Sequence, residues 1–304
     1  MHPSHPFGRR EFLLQSLLLG SGLLAGPSLF AGGPRPNSRF GGVRIGAITY
    51  SFRSLPVTPA DIIRYCQQCG LSALELKGDT AEPFAGAPAG PKVREWRETA
   101  GMEKFVELRR MLRKAGITVY AYKPNALGER NSDGEIEHAM KAARALGAAS
   151  VTVELPKDPS HSKRLADIAA GHKVHVGYHA HTQATDTAWD EALAQSPWNT
   201  MNLDCGHYIA AGGNNTAASL LALIEAKHDR ISSLHLKDRR LKQNGAANVE
   251  WGKGDTPIRE ILQLMKAKRY RFPASIELEY PVPAGSDAVK EVARCVAYAR
   301  EALS

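Results

Sequence analysis

The chain has 304 residues, of which 43% are hydrophobic and 23% are charged, a composition typical of a globular protein and not of a disordered one. Its formal net charge is +8 at pH 7, but the basic residues are scattered along helical segments without interleaved aromatic side chains. No nucleic acid partner is therefore expected. Two of the four cysteines form Cys66-x-x-Cys69, late in an amphipathic helix, where buried thiols are favoured over a redox motif.

Residues 1–31 have the pattern of an export signal. Arg9 and Arg10 precede an apolar stretch from Leu13 to Leu24, and small residues follow up to Ala31, where cleavage is predicted. We expect export in the folded state by the twin-arginine route to the periplasm, with an ordinary secretory signal or an anchored N-terminus as the alternative. No later apolar run approaches the roughly 20 residues that a membrane helix needs, so no membrane span is expected after cleavage.

From residue 43 onward, strand and helix patterns alternate in a regular order. The predicted strands are 43–50, 74–77, 117–123, 150–155, 173–179, 200–204, 231–236 and 273–279. The predicted helices are 59–70, one that follows a long loop (79–92) and ends at 115, then 132–146, 160–170, 186–195, 216–225, 256–268 and 286–304. A glycine turn is predicted directly after the sixth strand.

Eight strands, each followed by a helix, predict an α/β fold with a single (β/α)8 TIM barrel domain. A doubly wound open sheet is the alternative, but no Gly-x-Gly-x-x-Gly turn follows the first strand. The predicted boundaries are a signal segment over 1–31, a linker over 32–42 and the barrel over 43–304. In this fold the functional groups cluster at the carboxyl ends of the strands.

Several predicted strands end in carboxylates, imidazoles or lysines that share one side of the strand by the two-residue repeat. In chain order they are Glu75, Lys123, Glu154, His179, His181, Asp204 with His207 in its loop, His235, Lys237, Glu277 and Glu279. A single one of these is more often a hydrogen-bonded polar group of the barrel. A set on five consecutive strands indicates a divalent cation, because buried carboxylates need positive charge. Mixed oxygen and nitrogen ligands suit Mn2+, Mg2+, Co2+ or Zn2+.

Four short motifs carry a resemblance to a known family. These are Gly-Tyr-His-x-His (177–181), Leu-Asp-x-Gly-His (203–207), His-Leu-Lys-Asp (235–238) and the Glu-x-Glu of the eighth strand, joined by the loop Trp251-Gly-Lys-Gly-Asp255. Together they resemble the xylose isomerase-like TIM barrel superfamily, which includes sugar phosphate isomerases and epimerases, inosose dehydratases and endonuclease IV. The resemblance covers nearly all of the chain after the signal segment.

The resemblance implies a metal set of a Glu, an Asp, a His and a final Glu. The last three match Asp204, His235 and Glu279. The first position is open between Glu154 and His179, because the carboxylate of the epimerases is replaced here by His179. The metal implied is Mn2+ first, with Mg2+, Co2+ or Zn2+ as alternatives.

The resemblance further implies that Glu154, Glu279 and His179 carry the acid and base chemistry. The predicted substrate contacts are His181, His207, Lys237, Lys123, Glu75 and Glu277.

The implied function is a metal-dependent isomerase, epimerase or dehydratase-like lyase acting on a sugar, keto-sugar or cyclitol. The reaction is proton abstraction next to a carbonyl, with an enediolate intermediate. An endonuclease IV-like phosphodiesterase and a non-catalytic exported carbohydrate-binding barrel are the alternatives. The expected partner is a small-molecule carbohydrate, and assembly into a homo-oligomer is left open.

Overall fold

A computed structural model describes residues 35–304 of the chain. The predicted export signal and its cleavage site near Ala31 lie outside the described residues. Eight parallel strands form a closed ring, in which each strand pairs with its neighbours in the chain and the last pairs with the first. We number them β1 to β8: Val43–Ile48, Ala73–Lys77, Thr118–Lys123, Ser150–Glu154, His175–His179, Asn199–Asp204, Ile231–Leu236 and Ala274–Ile276. The predicted single-domain TIM barrel is confirmed.

Helices surround the ring and follow the strands. We number them α1 to α11: Pro59–Cys69, Gly78–Phe84, Val93–Thr99, Glu103–Lys114, Asp133–Leu146, Pro159–His172, Asp190–Gln195, Cys205–Ala211, Ala217–Lys227, Ile258–Lys268 and Ala288–Leu303. Several begin and end at side chains suited to capping. The hydroxyl of Thr58 accepts from the backbone N–H of Asp61, and Gly70 ends α1 in the left-handed conformation.

The long loop predicted over 79–92 is partly wrong, because residues 79–84 belong to a helix and residues 90–92 form a 3-10 turn. Helix α2 begins at Gly78, and three residues separate the end of α3 at Thr99 from the start of α4 at Glu103. A buried arginine, Arg97, holds this region: its guanidinium contacts Glu82 of α2 at 2.8 Å and Glu135 of α5 at 3.1 Å. This long-range ion pairing was not visible in the local Pro, Gly and Ala composition.

The turn predicted after β6 is also wrong, because α8 begins there directly. Asp204, the last residue of β6, is the N-cap of α8 and its Oδ1 accepts from the backbone N–H of His207 at 2.6 Å. At the other end of the chain, Arg39–Phe40 of the predicted linker pairs antiparallel with β1. Strand β8 stops at Ile276, and the backbone N–H of Leu278 bonds to the hydroxyl of Ser51.

The core lies between the ring and the helices and is built mainly from aliphatic side chains with buried Trp189, Tyr122, Tyr178, Phe52 and Phe105. The four cysteines are buried and carry free thiols. Over the described part of the chain, none of the helices is both long enough and apolar enough to cross a bilayer.

Candidate active site

Four side chains meet at the carboxyl end of the barrel. His179, Asp204, His235 and Glu277 each place one nitrogen or oxygen atom so that all four atoms lie within 4.8 Å of one another. All four residues are buried, and Asp204 and His235 have no exposed surface. Two imidazole nitrogens and two carboxylate oxygens converge on one small volume, which is a donor set suited to a divalent cation.

The strands position this cluster through their register. Asp204 is the last residue of β6, and His235, the last but one of β7, is its direct partner across the two strands. His179 ends β5, opposite Asn202. Glu277 follows the last residue of β8, and its backbone N–H still bonds to the carbonyl of Leu236 at 3.0 Å, which turns its side chain into the mouth.

Each imidazole is held by one nitrogen and presents the other to the cluster. His235 Nε2 lies 2.7 Å from Oε2 of Glu75, while Nδ1 lies 3.2 Å from Oε2 of Glu277. His179 Nδ1 lies 3.1 Å from Oδ1 of Asn202, while Nε2 faces Asp204 at 4.0 Å. A carboxylate or amide that holds the far nitrogen of a histidine is the usual support of a metal ligand.

A layer of buried polar groups lies beneath the cluster. Glu75 of β2 is fully buried and accepts from the hydroxyl of Thr152 at 2.6 Å, and Asn202 donates to Ser233 at 2.7 Å. Burial alone would raise the pKa of Glu75, but the neighbouring His235 outweighs it and lowers the pKa below its ordinary value. Glu75 is therefore an ionised partner of His235 inside the barrel, and not a group at the mouth.

Lys237 lies at the centre of the charged groups. Its Nζ is 2.6 Å from Oε2 of Glu277, 2.7 Å from Oε2 of Glu279, 3.0 Å from Oδ2 of Asp204 and 2.9 Å from Nε2 of His207. Burial would lower the pKa of this buried ammonium, but the three carboxylates outweigh it and raise the pKa. Lys237 is thus a permanent positive charge beside the four-residue cluster.

One carboxylate oxygen of Asp204 is available to bind a cation. Oδ2 is fully buried and receives no hydrogen bond, because the ammonium of Lys237 lies 3.0 Å away at an angle unsuited to donation. Burial raises the pKa of Asp204 to about 7, although the nearby Lys237 opposes that shift. A buried carboxylate oxygen that faces two imidazoles and receives no hydrogen bond is free to coordinate a cation, which would complete its contacts.

Three neighbours of Asp204, two histidines and one glutamate, differ in their protonation states. Burial, reinforced by His235 and Lys123, keeps the pKa of His179 well below its ordinary value, so its ring is neutral. Burial would lower the pKa of His235, but Glu75 and Glu277 outweigh it and raise the pKa to about 10. Burial would raise the pKa of Glu277, yet Lys237 and His235 hold it well below its ordinary value.

A second group of predicted residues lies on the rim, outside the four-residue cluster. Lys123 Nζ contacts Oε1 of Glu154 at 2.9 Å, and His181 Nδ1 lies 3.5 Å from Oε2 of the same carboxylate. The side chain of Glu154 is 47% exposed and that of His181 is 54% exposed. Burial would lower the pKa of Lys123, but Glu154 and Glu75 raise it.

Only part of the predicted metal ligand set lies in the four-residue cluster. Asp204 and His235 lie in the cluster, whereas Glu154 and Glu279 lie beside the mouth, with Glu279 bonded to Lys237. His179, the alternative for the first position, is in the cluster. Glu277, predicted as a substrate contact, is also there.

His207 lies between two cationic side chains. Arg239 donates to its Nδ1 at 2.6 Å, and Lys237 lies near its Nε2. Burial, with Lys237 and His181 next, lowers the pKa of His207 to about 2, so the ring is neutral and has one acceptor nitrogen. His179, His181 and His207 form a second converging group in residues 35–304, but the cationic side chains of Arg239 and Lys237 lie against His207 and disfavour a second metal ion there.

Two residues of this site were not predicted from the sequence. Arg239 follows the His-Leu-Lys-Asp motif and holds His207, while Asn202 holds His179. Asn202 stands two residues before Asp204 and so shares its side of the strand, which is a signal that the sequence carries. Arg239 lies beyond the strand end, where no such repeat applies.

Asp238 anchors the loop that follows β7. Its Oδ2 accepts from the backbone N–H groups of Gly252 and Gly254 at 2.8 and 2.9 Å, and its Oδ1 accepts from Thr256 at 3.2 Å. The loop Trp251-Gly-Lys-Gly-Asp255 is therefore fixed directly to the residue next to Lys237. These hydrogen bonds explain why the His-Leu-Lys-Asp motif has an Asp at this position: Asp238 has a structural role, and no catalytic role is needed.

The family model described as xylose isomerase-like TIM barrel matches residues 63–298. No curated protein matches the chain at a significant level.

Solved structures share the fold at low sequence identity. A sugar phosphate isomerase/epimerase from Parabacteroides distasonis is 18% identical with a TM-score of 0.59, covering 86% of this chain and 96% of that one. The probable 3-DHS dehydratase AsbF from Bacillus anthracis is 16% identical with a TM-score of 0.63, covering 84% and 98%. The IOLI protein, with a binding zinc atom, is 17% identical with a TM-score of 0.61, covering 86% and 99%. At these identities the likeness concerns the fold.

Proposed function

The chain belongs to the xylose isomerase-like TIM barrel family, and from that premise we propose that it is a metal-dependent enzyme acting on a sugar, keto-sugar or cyclitol. The proposed reaction is proton abstraction next to a carbonyl, as in an isomerase, epimerase or dehydratase-like lyase. Family neighbours that are described as a sugar phosphate isomerase/epimerase and a probable dehydratase support this reaction class.

The observation that carries the proposal is the buried cluster of His179, Asp204, His235 and Glu277, with the unbonded Oδ2 of Asp204 at its centre. These four residues would hold a divalent cation, with Mn2+ proposed first. Bound there, the cation would supply Lewis-acid stabilisation of the negative charge that develops on the substrate oxygens. Within the described residues, the thiolates that a structural zinc site needs are absent from this cluster.

The chain supplies acid and base groups on both sides of the mouth. Glu279, held by Lys237, follows β8, and Glu154, held by Lys123, ends β4. Strands β4 and β8 are opposite each other in an eight-stranded ring, so the two carboxylates approach a substrate from opposite directions. We assign proton removal to Glu279 and proton return to Glu154, with exchanged roles for the reverse reaction.

Lys237 and His207 orient the reacting oxygens. Because Arg239 takes the one acceptor nitrogen of His207, Nε2 carries the proton and can donate to a substrate oxygen. The Lys237 ammonium neutralises negative charge as it develops on that oxygen. His181 on the rim remains exposed enough to contact the distal part of a substrate.

The proposal is tested by solvent exchange. The purified protein is freed of metal, supplied with Mn2+, Co2+, Mg2+ or Zn2+, and incubated in D2O with keto-sugars, 3-keto-glycosides and inososes. We expect metal-dependent deuterium incorporation at a carbon next to the carbonyl, read by NMR. Asp204→Asn should abolish the exchange together with stoichiometric metal binding, whereas Glu279→Gln, which removes the proposed base and lies outside the four-residue cluster, should bind metal normally but exchange poorly.

Two outcomes contradict the proposal. Absence of bound metal and of any metal-dependent exchange would favour a non-catalytic carbohydrate-binding barrel. Cleavage of an abasic-site oligonucleotide in place of exchange would favour an endonuclease IV-like phosphodiesterase.

We also propose that the protein is exported by the twin-arginine route and works in the periplasm, from the Arg9-Arg10 pair and the apolar stretch that follows. Cell fractionation of the wild-type chain and of the Arg9→Lys/Arg10→Lys variant tests this. The wild type is expected in the periplasm and the variant in the cytoplasm. Equal export of both would refute the route.

A further inference from the structure

The face of the barrel opposite the proposed active site carries a groove lined by basic side chains. A cavity of about 490 Å³ is bordered by Arg39, Arg44, Lys266, Arg269 and Arg271, together with Gly41, Gly42, Met265 and Tyr270. Its lining contains five cationic side chains and not one carboxylate. The amino ends of β1 and β8 lie here, because the groove includes the Arg39–Arg44 hairpin and the residues that precede Ala274.

The four arginines of this groove lack acidic partners. Within residues 35–304, no carboxylate oxygen lies within 4.0 Å of the guanidinium group of any of them. Many other surface cations are paired, for example Arg64 with Asp61 at 2.7 Å and Lys268 with Glu225 at 2.8 Å. The groove gathers four such guanidinium groups around a single cavity.

Two of the arginines are also placed against each other. Arg39 and Arg44 are direct cross-strand partners in the antiparallel hairpin, an arrangement that is destabilising for like charges. Partial burial, with Arg39 next, lowers the pKa of Arg44, which shows the same repulsion. The dipole of α10 favours a positive charge in its last turn and so explains the position of Lys266. It does not explain Arg39 and Arg44, which lie on strands. An anionic ligand would relieve this repulsion.

The chain reaches the barrel at the same face. The backbone N–H of Ser38 bonds to the hydroxyl of Ser72, just before β2, and Arg35 packs beside Gly116, just before β3. The apolar stretch from Leu13 to Leu24 thus precedes, by about ten residues of sequence, a point on the basic face. Until the predicted cleavage near Ala31, such an apolar stretch has affinity for a membrane, whose anionic lipids offer a surface of charge complementary to the groove.

We propose that this groove is a docking surface for an anionic phospholipid bilayer. Guanidinium groups bind phosphate oxygens in a bidentate manner, and anionic headgroups supply the charge that the four arginines lack. Docked in this way, the molecule turns the carboxyl ends of its strands, and with them His179, Asp204, His235 and Glu277, away from the bilayer. The docking is independent of the reaction that the site carries out.

Flotation of the full chain with lipid vesicles tests the proposal. Binding is compared between vesicles of phosphatidylcholine alone and vesicles that also contain phosphatidylglycerol, and the ratio of the two removes the contribution of the apolar N-terminal stretch. Each arginine near an anionic surface contributes roughly a fivefold change in partition. We expect Arg39→Gln/Arg44→Gln/Arg269→Gln/Arg271→Gln to lower the ratio by roughly 600-fold at low salt.

A matched control removes the same number of charges elsewhere. The variant Lys104→Gln/Lys141→Gln/Lys163→Gln/Lys290→Gln changes four exposed lysines that already have carboxylate partners, and we expect it to keep the ratio of the wild type. Because Arg44 is half-buried, the double variant Arg269→Gln/Arg271→Gln provides a second test with an intact hairpin, and a loss of roughly 25-fold is expected.

Three outcomes would overturn the docking surface. They are no preference of the wild type for anionic vesicles, an equal loss in the groove and control variants, or tight binding of a single-stranded oligonucleotide that the groove variant alone loses. The last result would assign the groove to nucleic acid.

Discussion

Replacing Lys237 by methionine removes the one ammonium that lies among three carboxylates. Lys237 is only 2% exposed, and its Nζ is within 3.0 Å of Asp204, Glu277 and Glu279. Removing one partner of a buried ion pair costs about 3–5 kcal/mol, because the remaining charge is left uncompensated. We therefore expect the free energy of unfolding of Lys237→Met to fall by about that amount when a chelator is present.

The measurement is equilibrium unfolding in urea, with chelator and with a saturating divalent metal. For a slope of about 3 kcal/mol per molar urea, the expected loss corresponds to a midpoint lower by roughly 1 M or more. A cation held by His179, Asp204, His235 and Glu277 would compensate the carboxylates, so added metal should raise the midpoint of the variant more than that of the wild type. At a metal concentration of 100 times the dissociation constant, binding alone stabilises by about 2.7 kcal/mol.

Lys123→Met is the matched control. Its ammonium also contacts a carboxylate, but Glu154 is 47% exposed, so the expected loss is about 0–1 kcal/mol with or without metal. A Lys237→Met variant as stable as wild type in chelator would refute the idea that Lys237 compensates buried charge. A loss that metal does not reduce would refute the four-residue cation site.

The remaining predictions concern a histidine, a glycine and an aspartate. Burial lowers the pKa of His138 from 6.5 to about 4, so folding favours the neutral ring and stability is lost as the pH falls from 6.5 through 4; His138→Leu should lose less stability over that range in urea titrations. A Cβ on Gly206 would come within 2.4 Å of the side chain of Lys237, so Gly206→Ala should cost about 1–3 kcal/mol and reduce activity. Asp238→Ala removes the acceptor of three backbone N–H groups, so trypsin should cut faster within the loop 251–255.

The glycine and histidine predictions each have an internal control. Gly171 lies inside α6 with open space around its Cα, so Gly171→Ala should be neutral or stabilise by up to about 1 kcal/mol. His172→Leu changes a histidine that is less buried than His138 and should leave the acid dependence of the wild type. A cost for Gly171→Ala equal to that of Gly206→Ala, or an unaltered acid profile in His138→Leu, would contradict the reasoning. Unchanged proteolysis in Asp238→Ala would show that the loop is held by other contacts.

The barrel was predictable because its signals are local. Apolar strands, capping residues such as Thr58 and Ser132, and glycines such as Gly70 and Gly147 recur in a fixed order, and each acts within a few residues. Helices α2 and α8 were missed for different reasons. The first is held by the ion pairs of Arg97 across the fold, while the second begins at Asp204, which both ends a strand and caps a helix.

The site was predictable as a region more than as a set of contacts. The two-residue repeat correctly places Glu277 and Glu279 on one side, but it does not give their depth, which depends on how β8 is staggered against β7. Glu277 follows the ladder closely and lies in the cluster, whereas Glu279 lies two residues nearer the rim. Glu154 is likewise exposed because it lies at the mouth of the barrel. The residue type alone does not predict how deeply a side chain at a strand end is buried.

Asp204 serves two parts of the structure with its two oxygens. Oδ1 receives the backbone N–H of His207 at the start of α8, and Oδ2 faces the proposed cation. Protonation or loss of this carboxylate would therefore loosen the first turn of α8 as well as the site, since both depend on the same negative charge. The amide hydrogen of His207 consequently offers a local spectroscopic reporter: its exchange with solvent should slow as the site fills, even for a ligand that undergoes no reaction.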